Sequence, residues 1–249
     1  MHYVARKDEI LEILRRYHYV TVNFLAEALY ISPSSIRRDL AVMEAQGLVK
    51  RKHGGVSEVE VSNSLTPYSM RMHENSTEKR IICKKAADLV NDGDVIFIDG
   101  STTCLFLPEL IESKKDITVL TNSLRLASLF KNENVNIYTT GGKVRLSDEY
   151  VASGPIAEET CSKIHTDIMF FSARAIDDNG VIYDLNEPET AVRQAMLKNT
   201  KRAVFLCDDT KFSKKSVFKV CEAKDLSYIV TNNIPNEEIK QKWKNINIV

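Results

Sequence analysis

The chain has 249 residues, with 34 Lys+Arg against 34 Asp+Glu, so its formal charge is zero and any attraction to a charged partner must be local. Hydrophobic content of 43% and charged content of 27% fit a globular protein and exclude a disordered chain; the length suits one large domain or a small one plus a medium one. No apolar run approaches the roughly 18 residues of a membrane span, and the first residues hold no apolar segment followed by a cleavage site, which predicts a cytoplasmic protein without a membrane partner. The cysteines at 83, 104, 161, 207 and 221 form neither a C-x-x-C pair nor a set with His at metal spacing. They predict no disulfide framework, no metal and no cofactor, only small apolar core residues.

Residues 1–55 predict a small helical domain with a basic hairpin. Ile10, Leu11, Ile13, Leu14 and Tyr17 fall at helical spacing and give a first helix over about 6–17. Val20, Thr21 and Val22 suit a very short strand. Asn23 is expected to cap a second helix over 24–29, because its side-chain oxygen can take a free backbone N–H of the first turn. Ser32 or Ser34 is expected to cap a third helix with Pro33 near its start, running to about Gln46 and ending at Gly47.

The last two helices, with Ala26 as a small contact residue and Ile36 as a buried branched one, have the spacing of a helix-turn-helix, which sets its second helix in the major groove. On that helix Ser32, Ser34, Ser35, Arg37 and Arg38 lie at or near the first turns, where base edges and phosphates are reached. Ile36, Leu40 and Met43 are expected to face the core. Next come Lys50, Arg51, Lys52, His53 and Gly54, which suit a two-stranded wing with a basic tip that tracks the DNA backbone. Residues 32–55 hold five Lys/Arg against two Asp/Glu on a chain with no net charge. The competing expectation is a solvated face on which Arg37 and Arg38 merely pair with Asp39 and Glu44.

Residues 56–77, rich in Ser with Asn63 and Pro67, suit a linker. From 78 to 249 short apolar runs at 95–98, 117–120, 135–139, 168–172, 203–207 and 228–231 alternate with helical patterns at 78–90, 104–112, 123–130, 155–162 and 188–200. That alternation predicts an α/β domain with a largely parallel sheet covered on both faces.

Several of these strands run into small polar residues. The first is followed by Asp99, Gly100, Ser101, Thr102 and Thr103 and then a helix, an arrangement that offers free backbone N–H groups and hydroxyls to an anion. No lysine follows as in a nucleotide P-loop, so a mononucleotide or sugar phosphate is predicted. Similar tips occur at Thr121, Asn122 and Ser123 and at Gly141 and Gly142, where Lys143 and Arg145 are candidate counter-charges. Lys211, in Asp208 to Phe212, is a further cation. Such tips converge at one edge of a parallel sheet, where α/β folds bind ligands. Taken singly, each is also what an ordinary turn uses.

Ile36-Arg37-Arg38-Asp39-Leu40, Glu44, Gly47-Leu48-Val49, Arg51 and His53-Gly54-Gly55 resemble the signature of the DeoR family of bacterial transcriptional regulators. Asp99 to Thr103, Thr121-Asn122-Ser123-Leu124, Gly141-Gly142 with Arg145, and Asp208 to Phe212 resemble the effector domain of the same family. The resemblance implies a winged helix-turn-helix domain joined to a ribose-5-phosphate isomerase-like effector domain with a Rossmann-like, largely parallel sheet, a phosphorylated sugar as effector, double-stranded operator DNA as partner, and a homo-oligomer, dimer or tetramer. It places Glu187 in the cavity as a hydroxyl acceptor, where an N-cap or solvated role is the alternative. Two departures stand out. Tyr30 occupies a turn position that usually holds glycine, at a cost of roughly 1 kcal/mol if its backbone is left-handed. Ala173 and Ala175 replace residues often Cys or Gly.

The sequence therefore predicts a non-enzymatic DNA-binding regulator, a repressor of a sugar-metabolism operon. The alternatives are a sugar-phosphate isomerase using Asp99, Asp208, Glu187 and Lys211, and an architectural DNA binder whose large domain only oligomerises.

Overall fold

The computed structural model describes residues 3–17, 19–45, 48–52, 55–58, 68–145, 150–233, 239, 243 and 246–249. The chain divides into two compact units, Met1–Arg71 and Met72–Val249. The division falls inside the segment expected as a linker.

The first unit contains α1 (Tyr3–Tyr17), β1 (Tyr19–Thr21), α2 (Val22–Ala28), α3 (Pro33–Ala45), β2 (Val49–Lys52) and β3 (Gly55–Glu58). The strands form an antiparallel sheet in the order β1-β3-β2, so the expected two-stranded hairpin gains a third strand from the segment after α1. Ile10, Leu14, Leu25, Ile36, Leu40, Met43, Leu48 and Val56 are wholly buried in one core, which Met70 joins. Tyr17 departs from the expected stripe: it is half-exposed, its ring edge-on to Phe24 at 5.4 Å.

The second helix starts two residues earlier than expected. Thr21 Oγ1 accepts the Phe24 N–H at 3.1 Å, so Thr21 is the cap and Asn23 lies inside the first turn. Of the two candidates for the third cap, Ser32 fits, its Oγ accepting the Ser35 N–H at 3.3 Å. Gly47 lies outside the described residues. Between the helices the Ile31 N–H reaches Ala26 O at 2.9 Å and the Tyr30 N–H reaches Glu27 O at 3.3 Å. This pair of bonds closes a Schellman motif, whose C′ residue must be left-handed. Tyr30 fills that position with φ 56°.

A short helix α4 (Tyr68–His73) precedes α5 (Ser76–Ala87), β4 (Val95–Ile98), a 3-10 turn at Cys104–Phe106, α6 (Leu107–Ile111), β5 (Thr118–Thr121), α7 (Leu124–Ala127), β6 (Asn136–Thr139), β7 (Lys143–Arg145) and β8 (Val151–Ser153). Then follow α8 (Pro155–Lys163), β9 (Thr166–Phe171), β10 (Ala175–Ile176), β11 (Val181–Asp184), α9 (Glu187–Leu197), β12 (Thr200–Leu206), β13 (Phe218–Glu222), β14 (Tyr228–Val230) and β15 (Asn247–Ile248). Seven strands make one sheet in the order β15-β14-β12-β9-β4-β5-β6, every pair parallel.

Alternate residues along the central strands enter two cores. Ile96, Ile98, Ile168, Phe170, Val204 and Leu206 pack with Ile82, Cys83 and Leu107 of the helices on one face. Phe97, Met169, Phe171, Ala203 and Phe205 pack with Ala157, Cys161, Val192 and Met196 of α8 and α9 on the other. Burial on both faces explains why these strands read as continuous apolar runs. All five cysteines lie in these cores or beside them and are buried. Two smaller antiparallel sheets, β7-β8 and β10-β11-β13, were not expected.

Candidate functional site

On α3 the chain alternates core and solvent as the sequence requires. Ile36, Leu40 and Met43 are buried, whereas Ser32, Ser34, Arg37 and Arg38 are exposed and Ser35 is half-buried. Ser32 Oγ lies 3.0 Å from both Ser34 Oγ and Ser35 Oγ, making a hydroxyl cluster at the start of the helix. The carboxylates of the competing expectation, Asp39 and Glu44, are engaged elsewhere. Asp39, buried, takes two bonds from Arg6 at 2.9 and 3.2 Å. Glu44 accepts the Arg51 N–H at 2.9 Å and pairs with its guanidinium at 3.0 Å. Among the described residues Arg37 and Arg38 make no ion pair, so their charge is presented outward. Arg51 braces β2 against the end of α3. The backbones of Lys50 and Lys52 lie in β2; their side chains, with His53 and Gly54, lie outside the described residues.

In the second unit the parallel sheet delivers all its strand ends to one edge. After β4, Asp99 Oδ1 accepts the Ser101 N–H at 3.1 Å and Asp99 Oδ2 takes the Arg193 Nε–H at 2.7 Å. The Gly100 N–H donates to Asn122 Oδ1 at 2.9 Å, joining this tip to the next. Thr121 Oγ1 accepts the Ser123 N–H at 3.1 Å, and Ser123 Oγ caps α7 through the Leu126 N–H at 3.1 Å. Ser101, Thr102 and Thr103 are all buried. The Thr103 hydroxyl has no hydrogen-bond partner among the described residues. A buried donor left in that state costs about 1 to 3 kcal/mol unless something binds it.

After β6, Gly141 and Gly142 adopt φ of 66° and 105°. A Cβ at Gly142 would stand 2.8 Å from Ser153 O, so this turn also requires glycine for space. Lys143 and Arg145 follow on β7 and are exposed, as is Glu187 at the start of α9. None of these three is buried against the Asp99–Thr103 tip.

Lys211 donates to Ser172 Oγ at 2.8 Å and stands 3.6 Å from Asp208 Oδ2. Three neighbours escaped the sequence argument. Lys79 on α5, buried, donates to Thr102 Oγ1 at 3.3 Å. Asn75 Nδ2 donates to Asp208 Oδ1 at 3.3 Å and to Thr210 Oγ1 at 3.4 Å. Arg193 joins Asp99 to Asp184 at 2.9 Å and Glu189 at 3.4 Å. Burial pushes the Asp208 carboxyl up, but Lys211, the Thr210 hydroxyl and Lys79 together outweigh it and hold it below its ordinary value. This stabilisation is present above the unfolded carboxyl value and is lost as the pH falls through the folded one. A signal for two of the missed cations was available. Lys79 shares a helical face with Ile82, Cys83 and Ala86, and Arg193 one with Thr190 and Met196, so each is a charge on a buried stripe.

A winged helix-turn-helix with an outward cationic face, joined in one chain to a parallel-sheet domain with hydroxyls and ammonium groups along one rim, defines a transcription regulator with a sensor domain. The family models agree: residues 6–61 match the DeoR-like helix-turn-helix domain and residues 74–233 the DeoR C terminal sensor domain. The chain belongs to the DeoR family of transcriptional regulators. It is 32% identical to the L-fucose operon activator of Haemophilus influenzae, covering 91% of each chain. It is 31% identical to the lactose phosphotransferase system repressor of Staphylococcus epidermidis, over 92% of this chain and 91% of that one. Among solved structures, ribose 5-phosphate isomerase from Plasmodium falciparum aligns over 54% of this chain and 52% of its own, at 15% identity and a TM-score of 0.40. No helix among the described residues is long and apolar enough to cross a membrane.

Proposed function

We propose that the chain represses a sugar-metabolism operon as a homo-oligomer, a dimer or tetramer on paired operator half-sites, and is released when a phosphorylated sugar enters the rim crevice. The observation that carries this reading is the gathering of Lys79, Lys211, Thr102 and the Thr103 hydroxyl, which has no partner among the described residues, around neighbouring tips of one sheet. A buried ammonium group at Lys79, a half-buried one at Lys211 and hydroxyl donors suit a phosphate. The rest of the rim, with Ser101, Gly141 and Gly142, supplies hydroxyl and backbone groups for a sugar, while Gly100 and Asn122 hold the β4 and β5 tips together. Relatives named for an L-fucose operon and a lactose phosphotransferase system support the substrate class, and the second of them supports repression.

The isomerase reading fares worse on geometry. Asp99 is wholly buried with both oxygens engaged by Arg193 and Ser101, and Glu187 is exposed rather than desolvated. Neither is poised as a general base, which needs a free oxygen near its substrate and a tuned environment.

A thermal-shift screen of phosphorylated and unphosphorylated sugars tests the effector class, because a ligand of the native state raises apparent stability by mass action. A hit confined to unphosphorylated sugars removes the phosphate site. With the hit in hand, Thr102→Val and Lys211→Ala are expected to bind operator like wild type while needing more effector for release. Wild-type release curves in both would show the site to be elsewhere. For the reader, Arg37→Ala is expected to cost about 1 to 3 kcal/mol of operator affinity, and Lys50→Ala to flatten its salt dependence. Unchanged affinity and slope, measured by fluorescence anisotropy across salt concentrations, would remove this DNA face.

A further inference from the structure

We propose that Tyr30, in the turn between α2 and α3, is itself a DNA contact whose hydroxyl donates to a phosphate of the duplex. The inference rests on the assignment of the first unit as the DNA reader. Its starting point is a residue that the fold does not need. The Schellman closure of α2 forces a left-handed backbone at position 30, where φ is 56°. Glycine takes that conformation without strain, whereas a tyrosine Cβ meets the neighbouring carbonyl.

Packing offers nothing in return. Tyr30 is 96% exposed, more than any other large apolar side chain of the chain's described surface. Among the described residues its ring stacks on no other ring and its hydroxyl makes no hydrogen bond. A side chain kept in a strained position, almost fully exposed and with neither a ring contact nor a hydrogen bond among the described residues, points to a partner outside its unit.

The location says which partner. In a helix-turn-helix the first helix crosses the DNA backbone and the second enters the major groove. The turn joining them therefore lies where the chain passes over the phosphate rim. Tyr30 stands two residues before the Ser32, Ser34 and Ser35 hydroxyl cluster that opens α3, on the same exposed approach. A phenol donates one hydrogen bond from a rigid ring, which suits a phosphate oxygen and carries no charge of its own.

That neutrality gives the contact a signature. A lysine or arginine on a phosphate releases counterions, so its loss changes both affinity and salt slope; loss of a neutral donor changes affinity alone. The test uses the full chain and an operator duplex selected by the wild type from a randomised pool, with binding followed by fluorescence anisotropy at several salt concentrations. Tyr30→Phe, which removes only the hydroxyl, is expected to bind about three- to tenfold more weakly at every salt concentration, with an unchanged slope. Tyr30→Gly is expected to bind at least as weakly while the melting midpoint rises by about 4 °C as the backbone strain is relieved. Weaker binding by a protein that melts later cannot be blamed on unfolding. Wild-type affinity in either variant overturns the contact while leaving the reader in place. Failure of the wild type to select any duplex overturns the reader and this contact with it.

Discussion

Arg193→Leu is expected to lower the unfolding free energy by about 3 to 5 kcal/mol, because it removes the cation that three carboxylates of a buried ion network share. The guanidinium is almost wholly buried and holds Asp99, Asp184 and Glu189 on three different segments. Desolvation works against the charged arginine, but the three carboxylates overcome it and hold its pKa above the ordinary value. Removing it strands the Asp99 carboxylate at zero exposure. Urea unfolding reads the loss; one below about 1 kcal/mol would mean the carboxylates find other partners.

Gly100→Val is expected to cost about 3 kcal/mol, at the upper end of what overpacking a core does. A Cβ on residue 100 would stand 2.4 Å from Val151 Cγ2 and 3.1 Å from Ser123 Cβ, so β8 or the α7 cap must move. Neither is free to do so. Asn122 accepts from the Gly100 N–H at 2.9 Å and donates to Ala152 O at 3.3 Å, while the Ala152 N–H returns to Asn122 O at 2.6 Å. The substitution pries apart two strand tips and β8 together, so affinity for inorganic phosphate should fall with stability. Calorimetric titration together with urea unfolding checks the pair. Retained stability with retained phosphate binding would show that the tip needs no glycine.

The legible parts of the chain were those where one physical rule dominates. Strands such as Val95–Ile98 lie between two cores and must be apolar on both faces, so their runs stand out. The positions of Ile36, Leu40 and Met43 follow from helical period alone. Lys143–Arg145 and Phe218–Glu222 are short and half-solvated, mix charged with apolar residues, and leave no run to detect. The cap of α2 was misplaced because Thr21 and Asn23 are both competent caps, and only the backbone decides between them. At the rim, the hydroxyl-bearing tips could be read because turns and helix starts announce themselves. Lys79, Asn75 and Arg193 reach those tips from other segments, and that convergence exists only after folding.

Burial raises every thiol in the chain: Cys83, Cys161 and Cys221 to about 12, and Cys104 and Cys207 in the same direction. A nucleophilic thiolate thus forms only when the surrounding structure opens. All five lie in the Met72–Val249 unit. Covalent labelling with a thiol reagent is accordingly a clock for excursions of that half of the molecule, and it stays silent when the amino-terminal half melts. Cys83, whose Sγ donates to Thr103 O at 3.1 Å beneath the first strand tip, should slow its clock when an anion occupies the crevice.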